Sequence, residues 1–385
     1  MKRITVGLFT DAFLPMTDGV GMVVNNYAKR LTKYVNVIVF APNYKMPFDD
    51  TKLGYKVVRS KAIKVPFIDY SLPVPKIDYA FQKELEKYHL DIVHIHSPFT
   101  IGKAGLNYAR KHHIPCIGTM HSQYKQDFLR AVRNVSLATK LTDQLIKVYN
   151  KCTECWAVNK EVARIFYEDY GYKTLPKVMN NATEMEEIDK EEACRFINKL
   201  YKLKQEKVFI FVGRLNNLKN IFFIVDVLKQ IKILDKKLNY KMFFVGTGQD
   251  EEELKRRIRI NDLEDEVILT GKIDDRKLLA SFYARSDLFL FPSLYDASSI
   301  VQIEAASQKL PVLFLKDSAT SATVTDNVNG FIEENDINKY AQRVVDIMRH
   351  PQLLNEVSQN AYRDLYVNWD SQIKDVYQEY LKFIK

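Results

Sequence analysis

Four residues in the second half of the chain, two cations and two acids, have the types and spacing to hold a diphosphate and a ribose. Arg214 and Lys219 stand five residues apart in GRLNNLK, directly after the apolar run KVFIFV. Backbone N–H groups in a strand-to-helix loop attract phosphate, and two cations beside them would neutralise a diphosphate. By themselves the pair also reads as solvated cations after a Gly turn. Asp296 and Glu304 lie eight residues apart in DASSIVQIE, where a strand end should turn into a helix. Ser298 and Ser299 are good caps there, and the N–H groups of Ser299 and Ile300 would point at an anion. Glu304, further into that helix, would accept both hydroxyls of a ribose. Two acids at this spacing carry little alone; with GRLNNLK upstream and GTG (246–248) between, the segments form one constellation.

Positioning these residues requires alternating strands and helices. ITVGLF (4–9), VNVIVFAP (35–42), DIVHIHS (91–97) and IPCIGTMHS (114–122) are β-branched runs closed by polar or Pro residues, with amphipathic stretches at Val23–Leu31 and Ala80–Tyr88. The pattern restarts with KVFIFVGRL (207–215), YKMFFVGTG (240–248), EVILTGKI (266–273), LFLFPS (288–293) and LPVLFL (310–315). Such βα alternation predicts an α/β protein with two doubly wound parallel sheets and a site in the cleft between them, at the carboxyl ends of strands. The acidic, weakly apolar stretch between 180 and 203 marks the break. The expected domains are 1–184, joined by a C-terminal helix at about 369–385, and 185–368. In that last helix Ile373, Val376, Tyr377, Tyr380 and Leu381 make one apolar stripe, whose partner domain periodicity does not name.

Bulk properties agree. A chain of 385 residues fits two domains of roughly 150–200 residues. Its 46% hydrophobic and 27% charged residues are those of a globular protein. No run approaches the ~20 apolar residues of a spanning helix, and the N-terminal run reads as a strand rather than a signal, which predicts a cytoplasmic protein. Cys152 and Cys155 form a CTEC pair, but zinc needs two more ligands and Cys116 and Cys194 stand alone; all four read as core packing. The net charge of +9 is uneven: from 103 to 151, nine Lys or Arg face only Asp127 and Asp143. An acidic partner is expected there.

The constellation resembles the retaining family-four glycosyltransferases of the GT-B fold, and the resemblance runs nearly the full chain. It is carried by FTDAFLPMTDGVGMVV (9–24), DIVHIHSPFTIG (91–102), IPCIGTMHSQY (114–124), VMNNATE (178–184), VGRLNNLKN (212–220), VGTGQDEEEL (245–254), GKIDDRKLLASFYARSDLFLFPS (271–293), DASSIVQIEAASQKLPV (296–312), NVNGFI (327–332) and the terminal WDSQIKDVY. It implies two Rossmann-like domains facing across a cleft, with the last helix crossing back to the N-terminal one.

Position by position, the resemblance implies that Arg214 and Lys219 grip the donor diphosphate and that Ser299 and Ile300 offer N–H groups to it. Asp296 takes the place of the first Glu in the family's paired acidic motif, which holds hydroxyls of the donor sugar. Glu304 is the second and binds ribose. Lys272 and Ile273 fall where backbone groups read the base, and Gly246 lies in the matched GTG segment. Gly19 and Gly21 sit in an N-terminal loop approaching the phosphates, where Gly permits close contact and positive φ. His121 matches the histidine facing the donor sugar, while His94 and His96 read as structural. Asp11 is either a site residue or the acid that orders its turn. Departures from the family pattern are Asp296 for Glu, with a shorter arm, and Asn220, Ala182 and Lys309 where Gly is frequent. Donor-sugar choice is what they put in question.

The implied reaction is front-face transfer of a hexose from a nucleotide-sugar, UDP-glucose or similar, with retained configuration and no obligatory metal or other cofactor. The finer pattern looks most like bacterial diacylglycerol glucosyltransferases, which implies a lipid acceptor, glycolipid biosynthesis and a peripheral position on the inner face of the membrane. Residues 125–151 read as one helix with a core stripe at Leu137, Leu141, Leu145 and Val148. Arg133, Lys140 and Lys147 lie on another face, either solvated or against anionic lipid. Other readings stay open: a polysaccharide or soluble acceptor, a nucleotide-sugar epimerase, or a non-catalytic partner subunit, which Asp296 keeps in play. Nucleic acid is disfavoured, since no binding module accompanies the charge.

Overall fold

The computed structural model describes residues 3–16, 18–44, 46–64, 71–294, 296 and 299–384. One compact unit comprises Met1–Asn181 and Trp369–Lys385; the other is Ala182–Asn368. The division falls at Asn181 because the chain enters and leaves the second unit together: Thr183 N–H donates to Val367 O at 2.9 Å, and Thr183 bridges Asn368.

In chain order the first unit contains β1 (Thr5–Phe9), α1 (Gly19–Leu31), β2 (Asn36–Asn43), β3 (Lys56–Lys64), β4 (Ser71–Pro73), α2 (Tyr79–Leu85), β5 (Ile92–Ile95) and α3 (Thr100–Lys111). It continues with β6 (Cys116–Met120), α4 (Tyr124–Val132), α5 (Val135–Tyr149), β7 (Glu154–Ala157), α6 (Lys160–Arg164) and β8 (Lys177–Val178). The sheet order is β4-β3-β2-β1-β5-β6-β7-β8, parallel except for β4 against β3. Near-continuous apolar runs at β1, β2 and β6 suit strands covered on both faces. Sequence patterning missed β3, β4, β7 and β8, which are short, peripheral or lysine-rich.

The second unit contains α7 (Lys190–Tyr201), β9 (Lys207–Val212), α8 (Ile221–Leu234), β10 (Tyr240–Val245), α9 (Glu251–Ile260), β11 (Val267–Gly271) and α10 (Arg276–Arg285). Then follow β12 (Leu288–Phe291), α11 (Ile300–Ser307), β13 (Val312–Leu315), β14 (Phe331–Glu333), α12 (Ile337–Arg349) and α13 (Pro351–Leu365). Its parallel sheet runs β11-β10-β9-β12-β13-β14 around one apolar core. Asn220 (φ 57°) and Lys309 (φ 55°) adopt left-handed backbone, which accounts for the frequency of Gly at these positions in the family pattern.

The last helix, α14 (Trp369–Leu381), belongs to the first unit. Trp369 packs edge-on to Tyr27, Tyr377 stacks on Tyr34, and Tyr380 hydroxyl lies 2.6 Å from His94 Nδ1. Its buried stripe is Trp369, Gln372, Ile373, Val376 and Tyr380, whereas Leu381 is exposed.

Two expectations need correction. Residues 125–151 are not one helix: Arg133 turns left-handed (φ 50°), and Asn134 caps α5 by accepting from Leu137 N–H at 3.0 Å. The break takes Arg133 off the face of Lys140 and Lys147. Leu137 is 45% exposed, and the core stripe is Ala138, Thr142, Leu145, Ile146, Val148 and Tyr149. Nor does Cys116 stand alone: its Sγ packs 3.9 Å from Cys152 Sγ, with both thiols free and buried.

Asp11 joins the end of β1 to the start of α3. Its carboxylate accepts from Thr100 Oγ1, Ser97 Oγ and the N–H groups of Ile101 and Gly102, at 2.7–3.2 Å. Burial pushes its carboxyl above the usual range, opposed by these donors. Asp11→Ala would leave helix-end donors unmet and should cost about 2–4 kcal/mol in chemical denaturation. A loss within ~0.5 kcal/mol would show that α3 does not depend on it.

Candidate active site

In the second sheet β9 lies between β10 and β12, so the strand order reverses there. Loops leaving adjacent strands at such a point diverge and leave a crevice at the carboxyl ends. Arg214 follows β9 and Asp296 follows β12, so both lie at this reversal. The loop after β9 is tied to the one after β10. Gly213 N–H donates to Val245 O and Leu215 N–H to Thr247 O, both at 3.0 Å, and Asp250 accepts from Asn217 N–H at 2.7 Å. The approach requires glycine: a Cβ on Gly248 would lie 2.1 Å from Leu215 O, and one on Gly246 1.9 Å from Gly213 O. Gly246 thus has a packing reason of its own, besides its place in the matched GTG segment.

Asn216 accepts from Lys219 N–H at 3.2 Å, closing a short turn that leads through Asn220 into α8. Lys219 Nζ reaches Asp296, 2.5 and 2.6 Å from its two carboxylate oxygens, with both side chains about 20% exposed. A cation and an acid expected to serve different parts of a ligand therefore neutralise each other here, and Arg214 is left as the exposed cation of the loop. Ser299 occupies the N-cap position of α11 and is buried, but among the described residues its hydroxyl meets no partner and makes no cap bond, contrary to expectation. Ser298 lies outside the described residues. The backbone N–H groups of Ser299 and Ile300 stand at the start of α11, where the helix dipole favours negative charge.

Glu304 lies in α11 and is 5% exposed. Arg276 Nη2 donates to its Oε1 at 2.5 Å and Tyr283 hydroxyl to its Oε2 at 3.2 Å. Burial pushes the Glu304 carboxyl above the usual range, opposed by Arg276 and Tyr283. Neither partner was singled out from the sequence. Their seven-residue spacing on α10, which puts both on one helix face, was the available signal. Lys272, just beyond β11, is exposed and pairs with Asp274 at 2.6 Å, while Ile273 is part-buried against the core.

The other expected residues lie in the first unit, whose strand order reverses at β1. Gly19 and Gly21 are in the first turn of α1 rather than in a loop, and neither has positive φ. Asp18 caps that turn by accepting from Gly21 N–H at 2.6 Å. Gly21 is needed for closeness, since a Cβ there would lie 3.0 Å from Asp18 Oδ1 and 3.1 Å from Phe13 Cα; a Cβ on Gly19 would meet open space. His121 follows β6 and shares a 3.1 Å hydrogen bond between its Nε2 and His96 Nδ1. His96 stacks on His94, which bonds Thr119 Oγ1 and Tyr380 hydroxyl, each at 2.6 Å. His94 and His96 are thus core residues, as expected. Among the described residues no group of three or more His, Cys, Asp or Glu is gathered to hold a metal ion, and no helix is long and apolar enough to cross a membrane.

Family models match both units. One described as Glycosyltransferase Family 4 covers residues 17–187, and one described as Glycosyl transferases group 1 covers residues 195–364. The chain belongs to glycosyltransferase family four. This glycosyltransferase is 25% identical over 381 residues to the alpha-monoglucosyldiacylglycerol synthase of Acholeplasma laidlawii, covering 92% of this chain and 91% of that protein. It is 25% identical over 341 residues to the Streptococcus pneumoniae protein of that name, covering 84% and 74%. Among solved structures, Anabaena Alr3699/HepE in complex with UDP has the same fold, with TM-score 0.77 and 15% identity over 98% of this chain and 100% of that one. The glycosyltransferase's GT-B fold is thereby shown.

Burial pushes the His121 imidazole down to about 3, so the ring is neutral at physiological pH. Its NMR signals should stay flat from about pH 5 to about pH 8, the window in which an ordinary histidine titrates. A midpoint inside that window would contradict the burial.

Proposed function

We propose that this glycosyltransferase moves a hexose, with retention of configuration, from a nucleoside diphosphate sugar such as UDP-glucose to a lipid acceptor such as diacylglycerol. The donor half is supported by the Lys219–Asp296 pair at the strand reversal, with exposed Arg214 on the loop that carries Lys219 and Glu304 in α11, the helix that follows Asp296. Arg214 and the N–H groups of Ser299 and Ile300 supply positive charge where the leaving diphosphate develops its own. Lys219 exchanges Asp296 for phosphate, which frees the Asp296 carboxylate for sugar hydroxyls. Glu304 takes the ribose diol, and backbone groups at Lys272 and Ile273 take the base. These cations do the neutralising that a metal ion would do elsewhere, so no metal is required. The reaction is a front-face displacement in which departing diphosphate leaves an oxocarbenium-like sugar for the acceptor hydroxyl.

The acceptor half is supported by the names of the two synthases and by a groove in the first unit. It has a volume of about 870 Å³ and lies among β4, α2 and α3, with Val74, Phe81, Leu85 and Ala104 among its lining. Ile77 and Tyr79, 76% and 79% exposed, stand at it. So do Lys76, Lys83 and Lys103. Exposed apolar side chains among lysines suit an anionic lipid surface, at roughly 1 kcal/mol per cation. We assign the contact to this groove and the start of the basic segment rather than to α4 and α5, and propose a peripheral position for the enzyme on the inner face of a membrane.

The decisive experiment supplies UDP- and GDP-linked radiolabelled sugars with a lipid extract and follows label into chloroform. Label confined to the aqueous phase would reject the lipid acceptor; transfer from GDP donors alone would reject UDP-glucose. Arg214→Ala should lower kcat on the order of 100-fold. Combining Ile77→Glu with Lys83→Glu should abolish flotation with anionic vesicles, and undiminished flotation would assign the membrane contact elsewhere.

A further inference from the structure

Glu304 is expected to accept two hydroxyls, yet each of its oxygens already has a partner within the protein. A carboxylate offers about four lone-pair positions. Arg276 uses one on Oε1 and Tyr283 one on Oε2, which leaves one on each oxygen. Two acceptor positions, one per oxygen, match a vicinal diol. The pairing also decides whether both oxygens can accept. A carboxyl this buried takes up a proton unless opposed, and a protonated acid offers a donor where the diol needs an acceptor. The charged and titratable groups acting on Glu304 are Arg276 and Tyr283, which favour its ionised form, and Glu184, which opposes it. Arg276 is the first residue of α10, fixed by Asp275 accepting from Lys277 and Leu278 N–H at 2.8 and 3.0 Å. Its side chain, 43% exposed, reaches an acid that is almost fully covered.

We propose that Arg276 and Tyr283 are positioning residues for the ribose ligand: they hold Glu304 ionised and turned so that its two unused lone pairs face a vicinal diol. The inference rests on the reading of Glu304 as the ribose acid. It gives DDRK and the tyrosine seven residues on a task in discriminating ribonucleotides from deoxyribonucleotides.

The test titrates the full chain calorimetrically with the nucleoside diphosphate that the donor screen selects, UDP or GDP, and with its 2′-deoxy counterpart. Wild type should prefer the ribonucleotide on the order of tenfold, the scale of one hydrogen bond to a charged group. Arg276→Met should bind both nucleotides with nearly equal affinity, while Arg276→Lys keeps most of the preference and Tyr283→Phe keeps part of it. As pH is lowered, the preference that Tyr283→Phe retains should disappear at a higher pH than that of wild type, because Glu304 then lacks one of the two groups that favour its ionised form. A merely structural role would weaken both nucleotides equally and leave their ratio intact; that outcome in Arg276→Met overturns the proposal. If Glu304→Gln abolishes the preference and Arg276→Met does not, only the positioning role fails. If Glu304→Gln also keeps the preference, the ribose reading fails with it. Thermal melts of each variant, together with the Arg276→Lys rescue, separate misfolding from lost discrimination.

Discussion

In a parallel sheet the strands on either side of a reversal send their chains away in opposite directions, and no helix can cover the gap at their carboxyl ends. The second unit places this reversal at β9, between β10 and β12. That arrangement brings Lys219, in the loop after β9 that also carries Arg214, to Asp296 after β12, although 77 residues separate them in the chain. The close glycine contacts of Gly246 and Gly248 hold the β9 and β10 loops against each other. The cations therefore ride on a braced loop rather than on a mobile one.

The covered charged groups described above have a counter-charge or a set of donors. Lys219 has Asp296, Glu304 has Arg276 and Tyr283, and in the first unit Asp11 has hydroxyl and backbone donors. Burial pushes the Glu304 and Asp11 carboxyls up, and their partners oppose it. His121 follows a different course. Held neutral by burial, it keeps its geometry through His96, itself stacked on a histidine anchored by the C-terminal helix.

The resting pair of Lys219 and Asp296 bears on the one departure at the acidic motif. Two oxygens at 2.5 and 2.6 Å show that the shorter acid reaches the lysine squarely. In the proposed reaction the donor sugar competes with that pair for Asp296, so donor choice there depends on the cation as much as on the missing methylene.

Much was legible in the chain itself. The strongly apolar strands at 5–9, 207–212 and 240–245 announced themselves because burial on both faces demands continuous runs. GRLNNLK and the acid pair were found because phosphate and ribose chemistry restrict residue type at close spacing. Local sequence did not reveal β4, with its exposed Leu72, or the break at Arg133, where backbone conformation rather than hydrophobic period ends a helix. Nor did it show that Gly21 serves close packing and not positive φ. Partnerships across long separations were likewise out of reach. Lys219 with Asp296, Arg276 with Glu304 and Tyr380 with His94 exist only once helices dock on a sheet. Residue types settled which chemistry was available to this protein; the packing of α10 against α11 and of α14 on the first unit decided which charges meet, because an ion pair forms by distance in space and the chain encodes only distance along itself.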